Sequence, residues 1–306
     1  MLQNFRLKVF RAVAEHLSFR KAGEALYVSQ PAVTLQIKTL EEEIGIRLFE
    51  RRSSGVQLTR AGEVLLRYAN ELHRLSMEAE SQLAALKGEV TGELVLGAST
   101  TVAQYVLPPL LSEFARTFSG IQVQVFSDNT ESIAEGVAGG RFGLGLIEGP
   151  PQRRDVRIER WFDDELLLVV PVSHEWAGTA ALDPSRLYDA RLVMRERGSG
   201  SRHVVETGLQ KAGIQLASLR IVMELDSTEA ILSCIEEGLG VGFASEWALA
   251  RRTRTPPSLA ALRLRGASIE RSFSFVSQPG PELTGAAAAV LRFLQSRVPS
   301  LPYKNR

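Results

Sequence analysis

The sequence predicts an α/β chain in three successive parts: a small helical head closed by a β-hairpin, one long helix, and a larger body of alternating strands and helices. Three observations predict it. Apolar residues recur at spacings of three and four through the first helices of the opening sixty residues. The stretch from Arg60 to Lys87 holds no proline and one glycine, Gly62. From Gly92 onward, apolar runs of strand length alternate with helical patterns.

In the head, Leu2, Phe5, Val9 and Val13 form the apolar stripe of a first helix. Ser18 is an N-cap for a second helix, Phe19 to Leu26, with Ala22, Ala25 and Leu26 facing inward. A tight connection, Tyr27-Val28-Ser29, leads to a third helix that Ser29 caps and that places Pro31 in its first turn. Val33, Ile37, Leu40 and Ile44 make its core stripe, while Gln30, Pro31, Thr34, Leu35 and Lys38 point outward near its start. Two helices joined by a three-residue turn, the second exposing Gln, Thr and Lys, have helix-turn-helix geometry. Those side chains can read adenine, the thymine methyl, and guanine or phosphate. Leu48 to Arg52 and Val56 to Leu58 flank Ser53-Ser54-Gly55 as a hairpin, a wing whose tip carries Arg51 and Arg52 for phosphate or minor groove.

These residues resemble a known head. Phe10-Arg11-Ala12-Val13-Ala14-Glu15, Ser18-Phe19, Ala25-Leu26, Ser29-Gln30-Pro31-Ala32-Val33 and Ile37-Lys38 fall in the order of the DNA-binding head of LysR-type transcriptional regulators. Leu40-Glu41, Gly45, Leu48-Phe49-Glu50-Arg51 and Leu58-Thr59-Arg60-Ala61-Gly62 continue it. Gly23 departs from the family's usual Ala, which loosens the second helix by up to ~1 kcal/mol. Thr34 departs from its usual Ser and keeps the hydroxyl. The DNA-contact candidates are Ser18, Arg20, Lys21, Ser29, Gln30, Pro31, Thr34, Leu35, Lys38, Arg51 and Arg52. The winged helix-turn-helix is expected over residues 1–58.

Thr59 caps the long helix, expected over 59–87, with Leu65, Tyr68, Leu72, Leu75, Ala79 and Leu86 as its stripe and Gly88 and Gly92 marking its end. A helix of that length between two globular units favours pairing with another; in the resembled family this segment forms the dimer. Homodimer and homotetramer both stay open.

The body reads as strands at Leu94–Ala98, Ile121–Phe126, Gly143–Ile147, Glu165–Val170, Leu192–Met194, Ile221–Met223, Val241–Ala244 and Arg271–Val276. Helices fall at Val102–Thr117 (broken at Pro108-Pro109), Ser132–Ala138, Arg202–Ala212, Ser227–Glu237 and Gly285–Arg297. Strands crossing near 160–165 and 262–271 give a two-lobed, periplasmic-binding-protein-like architecture, the effector domain that the resemblance implies. It is expected over 88–306, with lobe I at 88–162 and 267–306 and lobe II at 163–266.

Ligands of such folds sit at strand carboxyl ends and helix N-termini. Those places are Ser99, Thr100, Thr101, Asn129, Thr130 and Glu148 in one lobe, and Arg195, Gly198, Ser199, Ser201, Arg202 and Ser227 in the other. Hydroxyls and free N–H groups there suit a small anion, with an arginine as countercharge. Taken singly, the Ser, Thr and Asn residues are ordinary helix caps, and Glu148 opposes a purely anionic pocket.

At 306 residues the chain has room for two or three domains. Residues 1–60 carry a net charge of +4 and the remainder −3, a basic head that suits a polyanion such as double-stranded DNA. One cysteine, Cys234, set in an apolar helical stretch, excludes a disulfide framework, and the four scattered histidines suggest no metal centre. No run of ~18 uncharged apolar residues predicts a membrane span, and without a signal-peptide pattern the expected compartment is the cytoplasm. The glycine patterns at 143–145 and 238–242 fit no dinucleotide fingerprint, and no catalytic motif appears. Glu41-Glu42-Glu43 and Asp163-Asp164-Glu165 read as solvated or as ends of elements. No catalytic residue, cofactor or metal is therefore assigned.

The reading is a DNA-binding regulator set by a small effector, with RNA polymerase as a further partner that the resemblance allows. The alternative is a two-lobed solute-binding or enzymatic protein with an accessory N-terminal bundle. Within the family, the effector half looks nearest to regulators of sulfur or carbon assimilation.

Overall fold

The computed structural model describes residues 4–52, 55–85, 91–252 and 257–297. Leu2, the Ser53-Ser54 turn and the helix end at Leu86, Lys87 and Gly88 lie outside the described residues.

The head consists of α1 (Phe5–His16), α2 (Phe19–Leu26), α3 (Gln30–Ile44) and the antiparallel hairpin β1 (Phe49–Arg52) and β2 (Gly55–Leu58). Each helix start is capped: Asn4, Ser18 and Ser29 accept from the backbone N–H groups of Arg6, Lys21 and Ala32. Val9, Phe10, Val13, Ala22, Val33, Ile37 and Leu48 bury one core, and the Phe10 and Phe49 rings meet at 5.4 Å. Three expected core residues stay outside it. Phe5 and Ile44 are half exposed and Ala25 is exposed, because they stand on helix turns that run past the bundle. Gly23 has a positive role: a Cβ there would lie 2.7 Å from the Val28 carbonyl oxygen, so glycine lets the turn fold against α2. Glu41 is not a solvated carboxylate. Its Oε1 accepts from the N–H groups of Leu48 (2.7 Å) and Phe49 (3.2 Å), tying the wing to α3.

α4 (Arg60–Ala85) is a single helix of 26 residues, and Thr59 Oγ1 accepts from Gly62 N at its start. Ala69 and Asn70 form its buried face. Asn70 accepts from Arg11 Nε and donates to the Gly139 carbonyl, both at 2.8 Å, so one side chain joins the head to the body. Val64, Tyr68, Leu72, Leu75 and Leu83 are all more than 40% exposed on other faces. Leu65, expected in that stripe, instead packs with Leu66 on the head core, because residues three and four short of Ala69 face the same way.

In the body, β3 (Gly92–Ser99), α5 (Leu107–Thr117), β4 (Ile121–Asp128), α6 (Thr130–Ala138) and β5 (Leu144–Glu148) alternate, with the strands parallel in the order β4-β3-β5. The prolines do not break a helix: Pro108 and Pro109 occupy the first turn of α5, and one π-helical turn over Val102–Val106 precedes it. β6 (Arg157–Pro171) then runs through both lobes as one strand of 15 residues, longer than its apolar half at 165–170 announced. Its first half is amphipathic, which hid it among polar residues.

The second lobe holds β7 (Ala181–Leu182), β8 (Arg191–Arg195), α7 (Gly200–Lys211), β9 (Arg220–Leu225), α8 (Thr228–Glu236), β10 (Val241–Ser245), α9 (Glu246–Arg251) and β11 (Leu259–Leu264). β12 (Glu270–Ser277) and α10 (Gly285–Gln295) return to the first lobe. Residues 157–165 of β6 pair with β12, and residues 166–171 pair with β10 on one side and β11 on the other. β7, β11 and α9 carry too little period to be read in advance. Cys234 is half-buried in α8 beside the buried Ile231 and Ile235, less enclosed than its neighbours suggested. Among the described residues no helix is long and apolar enough to cross a membrane.

The seam between head and body makes a pH prediction. His73 of α4 lines it with Arg11, Met77, Leu94 and Thr284. Burial, then repulsion from Arg11 and Lys8, pushes the imidazole down from 6.5 to about 4. Between those values the unfolded chain binds the proton first, so stability falls as pH drops through this window. Because His73 is only partly enclosed, the loss is below the ~1.4 kcal/mol per pH unit of a fully shielded group. Thermal melts from pH 7 to 4.5 should show a steeper decline for the wild type than for His73→Asn; parallel curves would refute the assignment.

Candidate functional site

Two groups of residues stand out. The first is the outer surface of the head. Gln30, Pro31, Leu35 and Lys38 are exposed along the start of α3, with Leu35 60% exposed. Gln30 Nε2 donates to Thr34 Oγ1, whose own hydroxyl donates to the Gln30 carbonyl, a paired and pre-oriented polar edge. Lys38 lies 3.6 Å from Glu42, and Arg20 pairs with Glu24; both pairs are exposed and available for exchange against phosphate. Lys21 is exposed, whereas the Ser18 and Ser29 hydroxyls are engaged as caps. Arg51 and Arg52 close β1 opposite Val56 and Gly55. Tyr27 was missed by sequence reasoning. It is 96% exposed in the turn before α3, with a left-handed backbone at φ 56. An apolar ring held wholly in solvent beside this polar edge was a signal that only the turn geometry could supply.

The second group fills the cleft between the lobes. Ser99 ends β3 and Thr100 and Thr101 follow it, Glu148 ends β5, Arg195 ends β8, and Ser201 stands in the first turn of α7. All six are buried. The crossing strands add two residues that the sequence did not single out, Asp164 on β6 and Arg271 on β12, which face each other directly in the ladder. Asp164 belongs to the acidic run read as solvated. It is instead 5% exposed, because Arg271 Nε donates to it at 2.7 Å and Ser245 at 2.8 Å.

The two guanidiniums organise the cleft. Arg195 forks onto Glu196 through Nε (2.8 Å) and Nη2 (3.1 Å), and reaches the hydroxyls of Thr100 and Thr228, each at 3.3 Å. Arg271 donates to Ser201 (2.7 Å) and Thr101 (3.4 Å) as well as to Asp164. Glu148 lies between them, 3.8 Å from Arg195 and 3.5 Å from Arg271, and accepts from Ser201 at 2.9 Å. Burial alone would raise the Glu148 carboxyl; Arg271, Arg195 and the Thr101 and Ser201 hydroxyls outweigh it and hold it below the usual range. Glu148 is thus a buried carboxylate kept ionised. Ser99 Oγ is fully buried with no hydrogen-bond partner in the structure.

The other candidates surround this centre. Asn129, Ser199 and Ser227 cap α6, α7 and α8. Thr130 donates to the Glu148 carbonyl, and Gly198 packs on Asn129. Arg202 turns toward Glu206 and Glu224 and holds the Arg195 carbonyl at 2.9 Å, so it braces the site from behind. Tyr105 of the π turn donates to Glu229 of α8, a further bond across the cleft.

Both halves match known descriptions. Residues 5–63 fit "Bacterial regulatory helix-turn-helix protein, lysR family", and residues 87–299 fit "LysR substrate binding domain". A RuBisCO operon transcriptional regulator of Allochromatium vinosum is 34% identical over 291 residues, covering 95% of each chain. Full-length CbnR, solved in complex with its target DNA, superposes with a TM-score of 0.67 at 25% identity, covering 96% of this chain and 99% of that one. The regulatory domain of Synechocystis CcmR in complex with 2-PG superposes with a TM-score of 0.62 at 27% identity, covering 67% of this chain and 96% of that one.

Closure of the cleft depends on a close backbone approach. A Cβ on Gly200 would lie 1.7 Å from the Glu148 carbonyl oxygen and 2.4 Å from Thr130 Oγ1. Gly200→Ala should therefore wedge the lobes and cost ~1–3 kcal/mol. An unchanged urea midpoint for this variant would show that the lobes do not meet there in solution.

Proposed function

The chain belongs to the LysR family of DNA-binding transcriptional regulators, and on that premise we propose that it controls a RuBisCO operon in response to a small anion held between its lobes. One observation carries the effector half: two buried guanidiniums and a ring of hydroxyls converge where the strands of both lobes end. A phosphate ester or carboxylate needs such donors, because an unpaired buried charge is costly. 2-Phosphoglycolate, present in the CcmR complex, is the first ligand to test. Ser99, Thr100, Thr101, Arg195, Ser201 and Arg271 form the reading's inner ring, with Asn129, Thr130, Gly198, Ser199, Arg202 and Ser227 as its support.

The head supports the DNA half. Gln30, Thr34 and Lys38 read bases in the major groove, and Arg20, Lys21, Arg51, Arg52 and Tyr27 hold phosphate or sugar. The long helix pairs with a second copy through Tyr68, Leu72, Leu75 and Leu83, since so many exposed apolar side chains along one helix favour burial. This reading divides the chain into head (1–58), linker helix (59–87) and effector domain (88–306), acting in the cytoplasm without an enzymatic role of its own. Its likeness to RuBisCO regulators supports the carbon side of the two assimilation targets that the sequence left open.

Gel shifts with the DNA upstream of a RuBisCO operon test both halves. Gln30→Ala or Thr34→Ala should cost ~1–3 kcal/mol and relax preference at one base pair. Thr100→Ala should leave DNA binding intact while weakening the 2-phosphoglycolate response about tenfold to a hundredfold, the loss of one hydrogen bond to a charged ligand. Wild-type affinity in both head variants would mean that α3 is not the reading helix.

A further inference from the structure

We propose that Glu148 is a built-in competitor for the anion seat, a carboxylate that spans the cleft and sets the minimum charge of any ligand that can displace it. This rests on the reading of the cleft as the effector site. Glu148 sits between the two guanidiniums, with Oε1 hydrogen-bonded by Ser201 and Oε2 buried without a hydrogen-bond partner. Glu148 Oε1 lies 3.8 Å from Arg195, Oε2 lies 3.5 Å from Arg271, and the Ser201 hydroxyl that donates to Oε1 accepts from Arg271 in turn. The side chain is 2% exposed, so its charge is balanced by these groups and not by water.

The neighbours show why it is a competitor and not merely structural. Arg271 has its own close counterion in Asp164 at 2.7 Å, and Arg195 has Glu196 at 2.8 Å. Glu148 sits farther from both guanidiniums than either of these, at ion-pair distance. It is the acid shared between lobes: its strand belongs to the first lobe, whereas Arg195 and Ser201 belong to the second. A ligand entering between the lobes must therefore trade against Glu148 and leaves Asp164 and Glu196 in place.

That trade selects by charge. A monocarboxylate replaces one negative charge by another and gains little, while it pays its own desolvation and loss of freedom. A ligand with a phosphate ester, or with two carboxylates, brings more charge than it displaces. The cleft should accept dianions or stronger and exclude simple monocarboxylates, and the exclusion should reside in Glu148.

Calorimetry on the full-length protein at pH 7 tests this with three probes: 2-phosphoglycolate, inorganic phosphate and glycolate. The wild type should not bind glycolate measurably. Glu148→Gln preserves shape and the contact with Ser201 while removing the charge. It should gain glycolate binding and tighten both inorganic phosphate and 2-phosphoglycolate by about tenfold or more. Glu148→Asp, which retracts the carboxylate, should shift the same way by less, and serves if the glutamine variant does not fold. Gain of glycolate binding, or tighter phosphate binding, supports the competitor role even where 2-phosphoglycolate binds neither protein, an outcome that would sink only the choice of effector. A folded Glu148→Gln protein that binds all three probes as the wild type does, binds them more weakly, or binds none would overturn the proposal.

Discussion

Two arginines buried between apolar lobes impose the main constraint on this molecule. A guanidinium taken out of water needs a counterion and a full set of acceptors, and the interior offers few. Arg195 has Glu196 in its own lobe, yet both arginines also draw on the other lobe and on the crossing strands: Glu148 from β5, Asp164 from β6, Ser201 from α7, and Thr100 and Thr101 after β3. The relative position of the lobes is therefore coupled to how the two charges are neutralised, and an anion that enters the cleft changes both together.

The crossing strands make that coupling mechanical. β6 serves the first lobe through β12 and the second through β10 and β11, so it is a shared spine and not a flexible tether. Asp164 and Arg271 face each other close to where this spine changes partners. The ion pair at that place ties the two crossing strands together, while Tyr105 meets Glu229 and Gly200 meets Glu148 at the rims of the cleft.

At the other end of the chain, short polar links carry the head. Glu41 holds the wing to α3, and Asn70 joins Arg11 in α1 to Gly139 at the end of α6. The body thereby contacts the head directly as well as through α4, and Gly139 belongs to the same lobe as Glu148. The cleft-bearing lobe and the head have a short physical route between them. Coupling through it is a matter of two discrete arrangements of these contacts, which the Asn70 bonds are placed to distinguish.

Local pattern by itself determined much. Cap residues, apolar spacing and the proline-free run specified the three helices, the wing and α4, because each signal acts within a few residues of the element it shapes. The ends of strands and the starts of helices likewise marked Thr100, Glu148, Arg195 and Ser201 as neighbours in a cleft. What sequence could not decide was the fate of polar residues whose partners are distant in the chain. Asp164 looked like part of a solvated acidic run and is buried, since its partner Arg271 lies 107 residues away on the strand beside it. Glu41 looked equally solvated until the start of the wing brought two unpaired N–H groups to it. Leu65 left the expected pairing stripe for the head because the direction of the head core, not the helical period, chose which face of α4 was covered. Short-range hydrogen bonding and periodicity are written in neighbouring residues; the pairing of buried charges is written only where the folded strands bring them side by side.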